Sequence, residues 1–269
     1  MYSGDGGCHR EAVLRPLSGH QEALLADGPP SPEATSHLLA ECLVRVGALT
    51  EFSTRRAAAL TCGDRDHLLL KLRAAALGGT IRLQLRCPSP GCGSESTLAL
   101  DTEALCTTEA AAAPNTISTK TPSGRALLRE PTGEDMAVIA DLPEADRADQ
   151  LWARQLLRLG EQGGFSAHSW RLLPLATRHT VALAFDRQRR GPQLSGHHSC
   201  PLCGAPIRWA AGAGALLSVG LRPGAARLVE EVHALAWHYG WSESDTLALP
   251  RQRRWAYLSR LRQALEVAP

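Results

Sequence analysis

Cys87-Pro88-Ser89-Pro90-Gly91-Cys92-Gly93 and Cys200-Pro201-Leu202-Cys203-Gly204 are the two stretches that decide the fold of this chain. Each sets two thiols on a tight turn, with Pro after the first Cys and Gly after the second. Gly lets the backbone fold back, so that amide N–H groups point at the sulfurs. The second stretch has CxxC spacing. The first is longer, yet still within the spacing of zinc ligands. Two thiolates rarely hold a structural ion, so each pair needs the other. The spacing predicts one tetrahedral zinc shared by Cys87, Cys92, Cys200 and Cys203. A redox CxxC would open a helix. Cys203 is followed instead by Gly204-Ala205-Pro206 and the strand-like Ile207-Arg208-Trp209. His197 and His198 precede Cys200 and are alternative ligands, although two complete Cys pairs already fill the usual count.

Working outward, Thr80 to Arg86 alternates apolar and polar residues and reads as a strand, with Ser96 to Leu100 as its return. Ile207-Arg208-Trp209 is the return strand of the second turn. Helices flank these hairpins. Ser31 caps the first, with Pro32 in its opening turn. Thr50 to Leu60 gives a second. Asp64 to Leu77 gives a third, with Leu68, Leu69, Leu72 and Ala76 on one face and Gly78-Gly79 as its stop. Arg125 to Arg129 reads as a short strand, and Thr132 caps a helix with acids in its first turn. A helix opening at Leu142-Pro143 carries Leu151, Leu156 and Leu157. Trp170 to Leu175 reads as helical and Thr180 to Phe185 as a strand. Leu228 to Tyr239 forms an apolar stripe stopped by Gly240. Ser242 and Asp245 form a capping box, and Trp255, Leu258, Leu261 and Leu265 share one face of a last helix.

The expected class is α+β, mostly helical, with two zinc-ribbon β-hairpins sharing one four-cysteine zinc site. The expected segments are a flexible N-terminal arm over 1–30 and helices with the first hairpin over 31–106. A linker or long loop covers 107–124, helices with the second hairpin cover 125–224, and a helical segment covers 225–269. A weak internal repeat accompanies this order, without residue-level identity beyond the cysteine turns. The zinc would tie the two halves together.

Composition narrows the function. At 44% hydrophobic residues the chain can bury a core, and a net charge of +2 gives no pull toward nucleic acid or acidic membranes. Eight Cys, half of them in closely spaced pairs, argue for metal in a reducing compartment, with Cys8, Cys42, Cys62 and Cys106 as small hydrophobes. Met1 to His9 is Gly-rich and polar, unlike a signal peptide, and no apolar run reaches membrane-spanning length. These features place the chain in the cytoplasm.

No Walker A loop, dinucleotide Gly pattern, HExxH or GxSxG occurs, so no enzyme is expected. Cys8-His9-Arg10-Glu11 contains the H-x-E string of zinc deaminases. It lies in a Gly-rich arm, and Ser199 stands where that signature has Pro. His233 and His238 are spaced wrongly for a metal face. Arg187, Arg189 and Arg190 lie in a polar insertion over 186–198, and Arg251, Arg253, Arg254, Arg260 and Arg262 lie on the last helix. The near-neutral total and the lack of interleaved aromatics favour a solvated face that docks an acidic partner over nucleic acid.

The run from Glu231 through His238-Tyr239-Gly240-Trp241 to Trp255-Ala256-Tyr257-Leu258 resembles the end of phage-tail baseplate proteins and their relatives in contractile injection systems. Pro131-Thr132-Gly133-Glu134-Asp135, Gly63-Asp64-Arg65-Asp66 and the turn at 200–204 share that resemblance, which is to the T4-type baseplate hub assembly proteins. It spans 45–265 as scattered motifs and departs from them in the longer first turn, the Ala/Thr linker and the basic insertion. It implies a structural or assembly role among baseplate and tail proteins of an assembled particle. It implies no small-molecule substrate and no catalytic residue.

Overall fold

The computed structural model describes residues 11–106, 116–221 and 224–267. The Cys8-His9-Arg10 string and residues 107–115 of the expected linker lie outside them. In chain order β1 (Ala12–Leu14) leads to α1 (Gly19–Ala26), α2 (Pro32–Cys42), β2 (Leu43–Val46), α3 (Thr54–Ala58) and α4 (Cys62–Leu77). A hairpin of β3 (Thr80–Arg86) and β4 (Glu95–Asp101) follows, then α5 (Thr102–Leu105). The middle holds β5 (Thr116–Thr121), β6 (Gly124–Arg129), α6 (Gly133–Ala140), α7 (Glu144–Gln155), β7 (Leu156–Leu159), β8 (Gln162–Gly163), α8 (Ala167–Leu172) and α9 (Leu175–Gln188). A second hairpin, β9 (Ser195–Ser199) and β10 (Pro206–Ala210), precedes α10 (Ala213–Ser218), α11 (Gly224–Tyr239), α12 (Glu243–Ala248) and α13 (Arg251–Val267). The fold is α+β with small sheets.

The chain makes two compact units, each from three stretches. One takes 1–13, 31–65 and 108–191; the other takes 14–30, 66–107 and 192–269. In the first, strands β5-β6-β7-β8 form an antiparallel sheet. Ile117, Ala126, Leu128, Leu156 and Leu159 of that sheet pack on Ala153, Trp170, Val181 and Ala184. Trp152 stacks on Trp170 at 5.5 Å and meets Phe185 edge-on. In the second, Leu25, Leu216, Leu217, Leu228, Leu235, Leu247 and Leu258 are buried, as are Leu68, Leu69, Leu70 and Leu72 of α4. Arg73, also buried, donates to the Gly78 and Thr80 carbonyls beyond the end of α4. Gly78 takes φ +85° there, as a helix stop requires.

Several expectations are corrected. The arm over 1–30 contains β1 and α1, held by buried Leu17 and Leu25. The linker over 107–124 contains β5, whose Ile117 enters the core while Ser118 and Lys120 face outward. Thr180 to Phe185 is helical: Thr177, Val181 and Ala184 are the buried residues of α9, at helical spacing. Leu156 and Leu157 lie in β7, and the expected Trp170–Leu175 helix is split between α8 and α9 at Leu173-Pro174. Helix α3 is shorter than the expected 50–60.

The last helix is corrected as well. Arg254 is fully buried rather than solvated. It donates to Glu231 Oε2 at 2.9 Å, to the Leu249 carbonyl at 2.6 Å and to Glu22 Oε2 at 3.0 Å. Arg251 also pairs with Glu22, and Trp255 Nε1 donates to Glu231 Oε1. A buried charge persists only with such partners. Arg65 is the counterpart in the first unit. Its guanidinium donates to Ser36 Oγ and to the Ala57 and Pro32 carbonyls at 2.8–3.0 Å.

Both arginines lie under the start of a helix. A Cβ on Gly19 would sit 3.0 Å from Arg254 Nη1, and one on Gly133 would sit 2.3 Å from Arg65 Nη1. The Gly19 amide donates to the Leu249 carbonyl, and the Gly133 amide donates to the Leu60 carbonyl, each at 3.2 Å. This equivalence exposes a repeat that was not expected at residue level. Ala12-Val13-Leu14-Arg15 before Ser18-Gly19 matches Ala126-Leu127-Leu128-Arg129 before Thr132-Gly133. Leu43-Val44-Arg45-Val46-Gly47 matches Leu156-Leu157-Arg158-Leu159-Gly160. Phe52-Ser53 matches Phe165-Ser166 at the caps of α3 and α8, and Cys87 matches Cys200 at the same spacing. Trp241-Ser242, followed by Leu249 and Arg254, is a third copy of Phe52-Ser53, Leu60 and Arg65.

Asp135 closes the start of α6. Burial alone would raise its carboxyl, but Arg129, the Thr132 amide and Arg154 hold it down at about 2. Its folded value lies below the ordinary one of 3.8. Its contribution is therefore complete above that ordinary value and is lost as pH falls through about 2. Asp135→Ala should cost about 3 kcal/mol in urea unfolding at pH 7, because it strands two partly buried arginines. The difference between variant and parent should shrink as pH is lowered toward 2. Gly19→Ala and Gly133→Ala should each cost about 1–3 kcal/mol, since the arginine beneath is fixed by its own hydrogen bonds. Urea midpoints unchanged from the parent would contradict the clamp.

Candidate metal centre

The β3–β4 and β9–β10 hairpins each carry one cysteine pair in the turn. The registers run from Arg86↔Glu95 and from Ser199↔Pro206 outward. The two turns are built alike. The Cys87 amide donates to the Ser94 carbonyl and the Cys200 amide to the Ala205 carbonyl, both at 2.9 Å. Gly93 and Gly204, each following a second Cys, take φ +56° and +72°. A side chain there would be strained, and Gly bends the chain so that amides face the sulfurs. The Leu202 and Cys203 amides point at the Cys200 sulfur, and the Ser89 amide points at that of Cys87.

All four predicted cysteines come together. Their sulfurs lie within 4.8 Å of one another, a group that can hold a metal ion. Cys87 Sγ is 3.6 Å from Cys203 Sγ, and Cys92 Sγ is 3.8 Å from Cys200 Sγ. Bonds of about 2.3 Å to a tetrahedral ion give sulfur–sulfur edges of about 3.8 Å. A disulfide would need about 2.05 Å. Cys87 and Cys200 are buried, with Ile207 in the same cluster and Leu85 and Ala205 against it, and Cys203 is exposed. The four belong to one unit, so an ion here joins two hairpins inside that unit rather than two halves of the chain.

Protonation differs across the set. The Ser94 hydroxyl, 3.1 Å from Cys200 Sγ, and the Cys203 amide lower the Cys200 thiol to about 6. The Ser94 hydroxyl also lowers Cys92. The Ser89 amide would lower Cys87, but burial and the neighbouring thiols push it up to about 12. Cys87 therefore holds its proton more firmly than Cys92 and Cys200 do. Ser94 was not foreseen; a Ser after Cys-Gly carries no signal until the second turn is seen to face it.

The other candidates stand apart. His197 and His198 lie on β9, opposite Arg208 and Ile207, and the metal-capable cluster among the described residues contains neither. His233 stacks on Trp237. No helix among the described residues is long and apolar enough to cross a membrane. No family model matches the chain, and no curated protein or solved structure was found similar to it.

Metal binding should weaken as pH falls, because protons compete with the ion for the sulfurs and burial and the neighbouring thiols raise Cys87. Titration against a chromophoric chelator at pH 7.5 and 5.5 checks this. Ser94→Ala should keep one ion per chain while lowering affinity about tenfold or more. Equal affinity in parent and variant would remove Ser94 from the site.

Proposed function

We propose that this chain is a structural or assembly component of the baseplate of a phage-tail-like contractile injection system. In this reading it is rigidified by one structural zinc on Cys87, Cys92, Cys200 and Cys203, at the tips of two zinc-ribbon hairpins. The observation that carries the metal part is the convergence of four sulfurs from two similar turns, all within 4.8 Å, with two pairs at 3.6 and 3.8 Å. A site filled by four thiolates leaves no coordination position for water or substrate, which supports a scaffolding role rather than a catalytic one. The baseplate part rests on the sequence motifs at 63–66, 131–135 and 231–258. Three of these segments prove to be structural devices. Arg65 and Thr132-Gly133 form one helix clamp, and Glu231 belongs to the other.

The nucleic-acid alternative loses support. Two of the arginines on the last helix, Arg251 and Arg254, are engaged by Glu22, and Arg254 is buried.

Two measurements test the proposal separately. Elemental analysis of purified protein should give one zinc per chain, absent from the Cys200→Ser, Cys203→Ser double variant, which should also melt lower. The chain should copurify with sheath, tube or spike proteins, and its deletion should stop particle assembly. A metal-free parent as stable as the metal-loaded protein would sink the first part. Normal particles without the protein would sink the second.

A further inference from the structure

The repeat yields three copies of one receptor: an aromatic-Ser helix cap, then Leu, then an Arg beneath. The copies run Phe52-Ser53 to Leu60 and Arg65, Phe165-Ser166 to Leu173 and Arg178, and Trp241-Ser242 to Leu249 and Arg254. The first is covered by Thr132-Gly133 at the start of α6, and the third by Ser18-Gly19 at the start of α1. The covered copies share three features. A Gly amide donates to the Leu carbonyl, the Gly leaves room for the guanidinium, and the Arg is buried with several acceptors.

The second copy, between α8 and α9, lacks this cover. Among the described residues no amide donates to the Leu173 carbonyl. Arg178 Nε is buried without a hydrogen-bond partner there. Leu172 and Leu175 flank the junction at 71% and 74% exposure. The matching positions in the covered copies hold Ala59 and Cys62, and Ala248 and Arg251. The uncovered copy alone has two large apolar residues there. The β5–β6 hairpin packs on α9 through Ser123 Oγ and Thr177 Oγ1, 2.7 Å apart, and leaves those leucines outside. An exposed apolar pair beside an unpartnered buried donor marks a contact surface.

We infer that the α8–α9 junction, Leu172 to Arg178, is a third helix receptor that docks another protein, through a helix beginning with Ser/Thr-Gly. The other two copies fix the chemistry of the occupant. Its Gly amide donates to the Leu173 carbonyl, its Gly lies over Arg178, and apolar residues of its first turns cover Leu172 and Leu175. A second copy of this chain is the weaker occupant. Both of its Ser/Thr-Gly helix starts among the described residues are already seated in their own receptors. The inference stands whether or not the baseplate reading does.

A synthetic peptide with the sequence of residues 129–142, which contains Thr132-Gly133, serves as the probe against the full-length protein. Fluorescence anisotropy should show saturable one-to-one binding. Leu175→Glu in the protein should weaken it at least about tenfold, as should Gly133→Leu in the peptide. Leu175 is exposed, so Leu175→Glu should keep the parent's melting temperature. No binding, or binding indifferent to both changes, would overturn the proposal. If sedimentation shows the parent dimeric and Leu175→Glu monomeric, the occupant is a second copy and the inference of a different partner fails.

Discussion

Four cysteine sulfurs lie within 4.8 Å of one another, a crowding that costs repulsion whenever they ionise and that a bound cation would relieve. This constraint governs the cysteine-bearing unit. Its two hairpins are short, and a two-stranded hairpin alone is marginally stable in water. The apolar material around the sulfurs is modest: Ile207, Leu85 and Ala205. Amide donors and the Ser94 hydroxyl reduce the repulsion by favouring charge on Cys200 and Cys92, while Cys87 keeps its proton. An ion bound there would displace protons from the sulfurs it takes as ligands.

The second organising device is the buried arginine under a Gly helix start. A guanidinium in a core is tolerated only when its donors are met. Arg254 meets Glu231, Glu22 and the Leu249 carbonyl; Arg65 meets Ser36 and two carbonyls. Arg254 pairs with Glu231 and shares Glu22 with Arg251, and Arg65 donates to Ser36 Oγ and to carbonyls of α2 and α3. The position is the same and the neighbours are not, so the repeat preserves a place for the Arg more strictly than its partners.

What could be read from sequence was local. The caps at Ser31, Thr132 and Ser242 were legible because each involves residues within one turn. Strand β3 was legible because its apolar and polar residues alternate, and Gly78 because a left-handed stop follows a Leu-rich helix. The cysteine pairs were legible for the same reason: ligand spacing is a local property. What failed was set by distant packing. Thr180 to Phe185 is a short apolar run that suits strand or helix, and contact with Ile117 and Leu128 decides for helix. Nothing near Arg254 distinguishes it from Arg260; only Glu22 and Glu231 do. The repeat is weak in the sequence because its matched residues are scattered. They gained meaning once Gly19 and Gly133 were seen over equivalent arginines.

The repeat also bears on why four cysteines meet. Cys87 and Cys200 occupy matching positions, each at the end of a strand and at the entry to a similar turn. Each copy contributes two sulfurs, so four is the natural sum of two equal contributions. An open catalytic site needs an asymmetry, three protein ligands and a vacancy. The asymmetry present here is of another kind: the longer first turn, and Ser94 reaching across from one hairpin to the Cys200 sulfur of the other. It favours the charged form of Cys200 and leaves the number of candidate ligands at four. Directed outward are apolar residues such as Leu172 and Leu175, beside the copy of the repeat that, among the described residues, has no helix start over its Arg.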